Sequence, residues 1–218
     1  MRALIFRGGW DGHDPIETVD LLVSRLEPSG MACEVIESLD PLRDLHHLRG
    51  YDVLVPAWTM GMLPTGAAGA IADAVEAGVG LAGWHGGMGD AFRGEPTFQF
   101  VTGGQFVAHP GGIIDYEVRL AEPDHPITAG LPDRFMVRSE QYYMHVDPTN
   151  RVLAETMMVG PDAEWIRGVA MPVVWTRRHG AGRVAYSALG HNIEDFAAEP
   201  CLTLAERCVL WAAGALGQ

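Results

Sequence analysis

One five-residue stretch constrains the fold of this chain more than any other. Gly83-Trp84-His85-Gly86-Gly87 follows the apolar run 79–82, which is typical of a short buried strand. Glycines on both sides of a polar residue permit a sharp turn from a strand into a helix, because the backbone there enters conformations that a β-carbon resists. The stretch therefore predicts an elbow with His85 at its apex, exposed at the carboxyl end of the strand, where open α/β sheets bind ligands.

The chain before the elbow alternates between strand-like and helix-like segments. Residues 2–6, 32–36 and 53–55 are short apolar runs that predict strands. The alanine-rich segment 65–77 predicts a helix that is closed by Gly78. Alternation of this kind is typical of a parallel sheet with right-handed crossovers.

The helix after the first strand has clear start signals. Asp14 is the predicted N-cap, Pro15 takes the first helical position, and Glu17 completes a capping box. We therefore expect the Asp14 carboxylate to bind backbone N–H groups in the first turn of this helix.

The pattern changes after the elbow, where strand-like segments predominate. They are 114–120, 152–158, 171–176 and 183–187. Residues 179–182 predict the turn of a hairpin between the last two of these strands. A final helix is predicted over 200–213, and we expect a single domain over 1–218.

Composition excludes several classes of partner. The 218 residues carry a formal net charge of −13, which argues against binding to nucleic acid or to an anionic membrane surface. No apolar stretch approaches the roughly eighteen residues of a membrane span. The three cysteines have no metal-ligand spacing and are expected to be reduced thiols, so we expect a cytoplasmic protein.

Four histidines follow predicted strands or lie in glycine-bearing loops: His13, His85, His109 and His191. Loops at one edge of a doubly wound sheet converge, so we expect several of these imidazoles to share a pocket. Glu140 is the most plausible carboxylate partner. We expect His85 to act as a general acid/base, with Glu140 or His13 orienting it or serving as its counterpart.

Other residues near the strand ends are candidates for binding a substrate. The backbone amides of Gly86 and Gly87 could stabilise developing negative charge at a helix start. Trp10, Trp58 and Trp84 follow three strand ends, and aromatic side chains at one edge suit stacking on the face of a sugar. Imidazoles and a carboxylate are also suitable ligands for a divalent metal such as zinc, although their non-local spacing specifies no such site.

Several chemistries lack their sequence signature. No GxGxxG motif follows a strand and no P-loop lysine motif is present, so the sequence contains neither of these motifs for binding nucleotide phosphates. The elbow carries neither serine nor cysteine, so covalent acyl transfer lacks its nucleophile.

Further motifs accompany the elbow along nearly the whole chain. They are Gly103-Gly104-Gln105-Phe106 with His109-Pro110, His125-Pro126-Ile127-Thr128, Glu140-x-Tyr142, Trp175 through Gly180-x-Gly182-Arg183-Val184, and Leu189-Gly190-His191. In this order they resemble the ThuA-like proteins, which are named for trehalose utilisation. One departure is Ser139, which stands where that family usually has an acidic residue.

The resemblance implies a class I glutamine amidotransferase-like, flavodoxin-like fold: a doubly wound, mostly parallel sheet with additional antiparallel strands in the C-terminal half. Because His85 replaces the elbow cysteine of true amidotransferases, no glutaminase activity is expected. The resemblance also implies a link to carbohydrate metabolism, and in particular to oxidised or keto-sugar derivatives. We accordingly expect Asp11, His109, Tyr142 and His191 to contact the substrate.

Two classes of function follow from these observations. The first is an enzyme that acts on a small sugar or keto-sugar derivative by histidine-based acid/base chemistry, through either isomerisation or hydrolysis. The alternative is a non-catalytic sugar-binding or regulatory module that keeps an enzyme-like pocket. A purely structural oligomerisation domain is a third hypothesis, and a homo-oligomer is compatible with all three.

Overall fold

The computed structural model describes residues 1–217, and a nine-stranded sheet forms its centre. The strands are β1 (Arg2–Gly9), β2 (Ala32–Ile36), β3 (Val53–Thr59), β4 (Gly80–Trp84), β5 (Gly104–Ala108), β6 (Ile113–Leu120), β7 (Arg134–Glu140), β8 (Tyr143–Val146), β9 (Arg151–Met157), β10 (Ala170–His179) and β11 (Gly182–Ser187). The α-helices are α1 (Pro15–Leu26), α2 (Leu45–Leu48), α3 (Ala67–Glu76), α4 (His85–Gly89), α5 (Pro96–Thr102) and α6 (Glu199–Ala212).

The first half of the sheet is parallel. Its strands lie in the order β2-β1-β3-β4-β11, and all four pairings between them are parallel. Helices α1 and α6 pack together on one face, while α2, α3 and α5 form the layer on the other. Strands covered on both faces must be apolar throughout, and Ala3, Leu4, Ile5 and Phe6 of β1 are fully buried. The predicted doubly wound, mostly parallel class is confirmed.

The second half of the sheet is antiparallel. It continues from β11 through β10, β9 and β6 to β7, and β10 and β11 form the predicted hairpin. Strands β5 and β8 form a separate two-stranded sheet. Strands β5, β7 and β8 were not predicted from the sequence. No helix within residues 1–217 is both long and apolar enough to cross a membrane.

The antiparallel half curls back toward the parallel half. Strands β4 and β7 are five positions apart in the sheet, which is about 24 Å at the usual spacing of ~4.8 Å per strand. A side chain at the end of β7 nevertheless lies 3.2 Å from one at the end of β4. Register shifts around Pro172 and Val174 in the β9–β10 ladder are irregularities of the kind that bend a sheet. Curling therefore brings residues of both halves to one site.

The elbow has the predicted strand-to-helix form. Strand β4 ends at Trp84, and α4 begins at His85, which has a φ of 42°. The turn is tight enough to require glycine on both sides. A β-carbon on Gly83 would lie 2.9 Å from the carbonyl oxygen of Pro56, and one on Gly87 would lie 2.9 Å from the Cα of Ala57.

The predicted side-chain cap of α1 is wrong. Asp14 precedes the helix with a left-handed φ of 45° and makes no side-chain cap hydrogen bond. Its Oδ2 instead accepts a hydrogen bond from the N–H of Ile193 at 3.2 Å. The carboxylate thus anchors the loop after β11, because a tertiary donor replaces the local one.

Candidate functional site

Four side chains from distant parts of the chain meet at one edge of the sheet, and we call them the histidine–glutamate centre: His13, His85, Glu140 and His191. His13 follows β1, His85 is the elbow residue, Glu140 ends β7 and His191 lies in the loop after β11. One nitrogen or carboxylate oxygen from each residue lies within 4.8 Å of the corresponding atom of every other. Because β1, β4, β7 and β11 all point their carboxyl ends the same way, the strand directions place these groups at a common edge.

His85 is buried, and the prediction of an exposed apex is wrong. Its side chain is 1% exposed, and the ring of Tyr142 lies over it with centroids 4.0 Å apart. The hydroxyl of Tyr186 donates a 2.9 Å hydrogen bond to the carbonyl oxygen of His85, which fixes the backbone of the elbow. A buried imidazole cannot meet a substrate directly, so His85 must act through whatever its ring nitrogens bind.

Hydrogen bonding fixes which nitrogen of His85 faces the centre. Nδ1 lies 2.9 Å from the carbonyl oxygen of Ala188, which can only accept, so Nδ1 carries the proton. In the neutral ring, Nε2 then presents a lone pair, and it lies 3.2 Å from Glu140 Oε2. Two acceptors at this distance repel each other unless a positive charge lies between them.

His191 completes a close triangle of donor atoms. Its Nδ1 lies 3.3 Å from His85 Nε2 and 3.3 Å from Glu140 Oε2. Burial opposes ionisation of Glu140, but its close contacts with the imidazoles of His191 and His85 outweigh burial and hold the pKa of the carboxyl well below its usual range. Burial likewise opposes charge on His191, yet its hydrogen bond to Glu140 raises the pKa of the imidazole. The triangle therefore attracts a cation, which can be a proton on His191 or a metal ion.

His13 is the fourth member and stays neutral. Burial, followed by electrostatic repulsion from the neighbouring imidazoles of His85 and His191, lowers the pKa of His13 to about 3. Its Nδ1 lies 2.7 Å from the hydroxyl oxygen of Thr59 at the end of β3. The hydroxyl holds one ring nitrogen, which leaves the other free to act as a ligand.

The donor set fits a divalent transition metal. Zinc bonds of ~2.0–2.1 Å in tetrahedral geometry place neighbouring ligand atoms about 3.3 Å apart. The three separations among His85, Glu140 and His191 are 3.2, 3.3 and 3.3 Å. Metal-binding histidines usually donate their other N–H to a carbonyl or carboxylate, and Ala188 is in this role for His85. Imidazole and carboxylate ligands also suit zinc and related metals.

The mouth of the centre is formed by His109 and Trp10. The His109 side chain is 40% exposed and its Nε2 lies 3.6 Å from Glu140 Oε1. Trp10 is 47% exposed and packs edge-on against His13, with ring centroids 4.8 Å apart. A cavity beside His13 and His85 has a volume of only about 10 Å³, close to that of one water molecule. The exposed surface next to the centre is therefore that of His109 and Trp10.

Several candidate binding residues offer little exposed surface. Trp84 lines the small cavity beside His13 and His85, but it is 3% exposed and packs against Phe196, and its contact with a substrate stays a prediction. Trp58 is half-buried and its indole fills the space beside Gly8 and Gly61. Gly86 and Gly87 are buried in the elbow, under His13 and against Ala57, and a role of their backbone amides toward a substrate stays a prediction. Asp11 is exposed beside Trp10 on the loop after β1.

Three supporting residues were missed by the sequence analysis: Thr59, Ala188 and Asp195. Asp195 Oδ2 accepts hydrogen bonds from the backbone N–H of His191, at 2.9 Å, and from the hydroxyl of Ser139. Ser139 thus links the end of β7 to the loop that carries His191. The only sequence signal for Thr59 was its place at the end of a predicted strand, and Ala188 and Asp195 had none.

We expect Gly86→Ala to disrupt the centre. A β-carbon on Gly86 would lie 2.6 Å from His13 Nδ1, so the imidazole would have to leave Thr59. Overpacking costs about 1–3 kcal/mol, which exceeds the ~0.5–1 kcal/mol that alanine gains over glycine in a helix. Urea unfolding measures the difference. Gly69→Ala in α3 is the matched control, because no atom lies within 4 Å of that β-carbon. Equal stability of the two variants would contradict the expected clash.

Fold and site together define a class: an amidotransferase-like α/β protein in which a histidine–glutamate centre takes the place of the elbow nucleophile. The family model described as ThuA, trehalose utilisation, matches residues 2–212. The chain therefore belongs to the ThuA family. No curated protein matches it in sequence.

Solved structures share the fold at low sequence identity. A protein from Bacteroides uniformis ATCC 8492 described as ThuA-like is 19% identical with a TM-score of 0.80, and the match covers 97% of this chain and 91% of that one. A protein of Salmonella typhimurium LT2 described as cytoplasmic is 15% identical with a TM-score of 0.66, covering 99% and 98%. A β-galactosidase from Bacillus circulans sp. alkalophilus is 18% identical with a TM-score of 0.56, covering 98% of this chain but 31% of the enzyme.

Proposed function

We propose that this protein is a cytoplasmic enzyme that acts on a small sugar or keto-sugar derivative at the histidine–glutamate centre. The observation that carries the proposal is the triangle of His85 Nε2, Glu140 Oε2 and His191 Nδ1, with separations of 3.2–3.3 Å. Strongly coupled, buried titratable groups at the carboxyl edge of a sheet are typical of reaction centres. A binding module has no need to bury such a cluster.

Two further observations support a carbohydrate as the substrate. The family is described by trehalose utilisation, and a β-galactosidase contains a region with this fold. Trp10 is exposed at the mouth of the centre, where its ring can stack on a sugar face.

The cytoplasmic location is supported by the description of the Salmonella protein and by the three free cysteines.

The centre would hold a divalent cation such as zinc through His85, Glu140 and His191, with His13 as a fourth ligand. Such a cation supplies polarisation of a carbonyl oxygen or a lowered pKa of a bound water. Neighbouring groups position these ligands. The carbonyl oxygen of Ala188 fixes Nδ1 of His85, and the hydroxyl of Thr59 fixes Nδ1 of His13. The Tyr142 ring covers His85 and limits the access of bulk water.

His109 is the acid/base group in this proposal. Among the histidines around Glu140 it alone has a substantially exposed side chain within the described part of the chain. Its Nε2 can take a proton from the carbon next to a sugar carbonyl and return it to the former carbonyl carbon, while the hydroxyl proton passes to the former carbonyl oxygen, which isomerises the sugar. In hydrolysis of a keto-glycoside, the same nitrogen can take a proton from the attacking water and return it to the departing glycosidic oxygen.

The test uses trehalose and a keto derivative of trehalose as probes. We expect zinc-loaded protein to convert the keto sugar, with isomerisation or glycoside cleavage followed by NMR, and chelator-treated protein to lose the activity. Thermal shift under the same conditions reports binding separately. Saturable binding without conversion would favour the regulatory module, and the absence of both binding and conversion would contradict a sugar substrate.

A further inference from the structure

We propose that a second site, far from the histidine–glutamate centre, binds a small molecule that carries a phosphate group. The site is a cavity of about 430 Å³, within the range of small-molecule sites in proteins. Its walls include Arg151, Arg177, Arg178, His125, Thr176 and Trp211.

The cavity lies at the opposite edge of the sheet. Strand β10 runs antiparallel to β11, so Thr176 and Arg178 near its carboxyl end are remote from the edge that carries His191. Trp211 lies in the last turn of α6, which begins near the centre and ends at this opposite edge. A ligand here therefore does not compete with one at the histidine–glutamate centre.

The charge of this cavity is opposite to that of the whole chain. The formal net charge is −13, yet three arginines and no carboxylate line the described walls. Arg151 pairs with Glu122 and Arg177 with Asp147. Arg178 pairs with no carboxylate within residues 1–217, and its Nη1 donates only to the carbonyl oxygen of Ala181, at 3.1 Å. Its positive charge is therefore uncompensated.

Hydrogen-bond donors line the same cavity as the Arg178 guanidinium. Thr176 is 2% exposed, and its hydroxyl makes no hydrogen bond to any part of the chain that the structure describes. Nδ1 of His125 accepts the N–H of Ile127 at 3.2 Å, so the neutral ring carries its proton on Nε2. A guanidinium, a hydroxyl and an imidazole N–H together match the several acceptor oxygens of a phosphate. The Trp211 ring provides an apolar wall for the rest of the ligand.

Calorimetric titration of the full chain with inorganic phosphate, glucose 6-phosphate and glucose tests this assignment at constant ionic strength. We expect saturable binding of the two phosphates and none of glucose. Arg178→Gln should weaken phosphate binding about tenfold or more, because a hydrogen bond to a charged group is lost. Thr176→Val should weaken it less.

Arg119→Gln is the matched control, because Arg119 lies on β6 outside the cavity and pairs with Glu155. We expect this variant to bind phosphate as the unaltered protein does. Absence of saturable phosphate binding, or equal affinities of Arg178→Gln and Arg119→Gln, would overturn the proposal. Tighter binding of glucose 6-phosphate than of inorganic phosphate would identify a phosphorylated sugar as the better ligand, and the reverse order would identify free phosphate.

Discussion

We expect replacement of His85 with asparagine to lower the affinity of the proposed site for zinc by about 100-fold or more. Mutation of a residue that only orients a metal ligand lowers the affinity for the metal by about 10- to 100-fold. Loss of a ligand itself should lower this affinity at least as much. Asparagine is too short to place a donor atom at the position of Nε2, which lies 3.2 Å from Glu140 Oε2. The amide N–H of asparagine can still donate to the carbonyl oxygen of Ala188, so the substitution removes the Nε2 ligand and keeps this hydrogen bond.

The measurement is a competition between the protein and a chelator of known zinc affinity. His46→Asn is the matched control, since His46 is exposed on α2 and should leave zinc binding unchanged. Circular dichroism establishes that the His85 variant is folded. If folded His85→Asn binds zinc as tightly as the control does, the proposed metal site is wrong.

We expect replacement of His109 with glutamine to lower the proposed turnover of the keto sugar by about 10²–10⁴-fold, the usual effect of removing a general acid/base. Zinc affinity should remain within a few-fold of that of the unaltered protein, because His109 Nε2 lies 3.6 Å from Glu140 and outside the close triangle. This pair of results separates proton transfer from metal binding.

His145→Gln is the control for this second variant, because His145 is exposed on β8 and outside the centre. The rates of both variants are measured over a range of pH, and the limb that reports the acid/base group should disappear in His109→Gln alone. An unchanged turnover in His109→Gln would assign the acid/base role to another group.

Local sequence signals predicted much of the fold. The glycines around His85 indicated the elbow, and a glycine turn at 179–182 indicated the β10–β11 hairpin. These features depend on residues that are close in sequence. The same signals selected His13, His85 and His191 because each follows a strand whose direction determines its edge.

Tertiary contacts determine what the sequence did not predict. His85 is buried because Tyr142 and His191 cover it, and both come from segments more than fifty residues away. The Asp14 side chain does not cap α1, because its carboxylate accepts a hydrogen bond from the N–H of Ile193 instead. Glu140 was predicted as the carboxylate partner, but the strand that carries it and the curl of the antiparallel strands that brings it to His85 were not, because strand propensity contains no information on such curvature.

The centre draws one residue from each of four widely spaced segments: 13, 85, 140 and 191. During synthesis the ribosome releases two of these groups long before the other two. A nascent chain that ends before residue 191 therefore lacks the complete set of these groups. Under the proposed function, metal capture and catalysis await the synthesis and folding of all four segments.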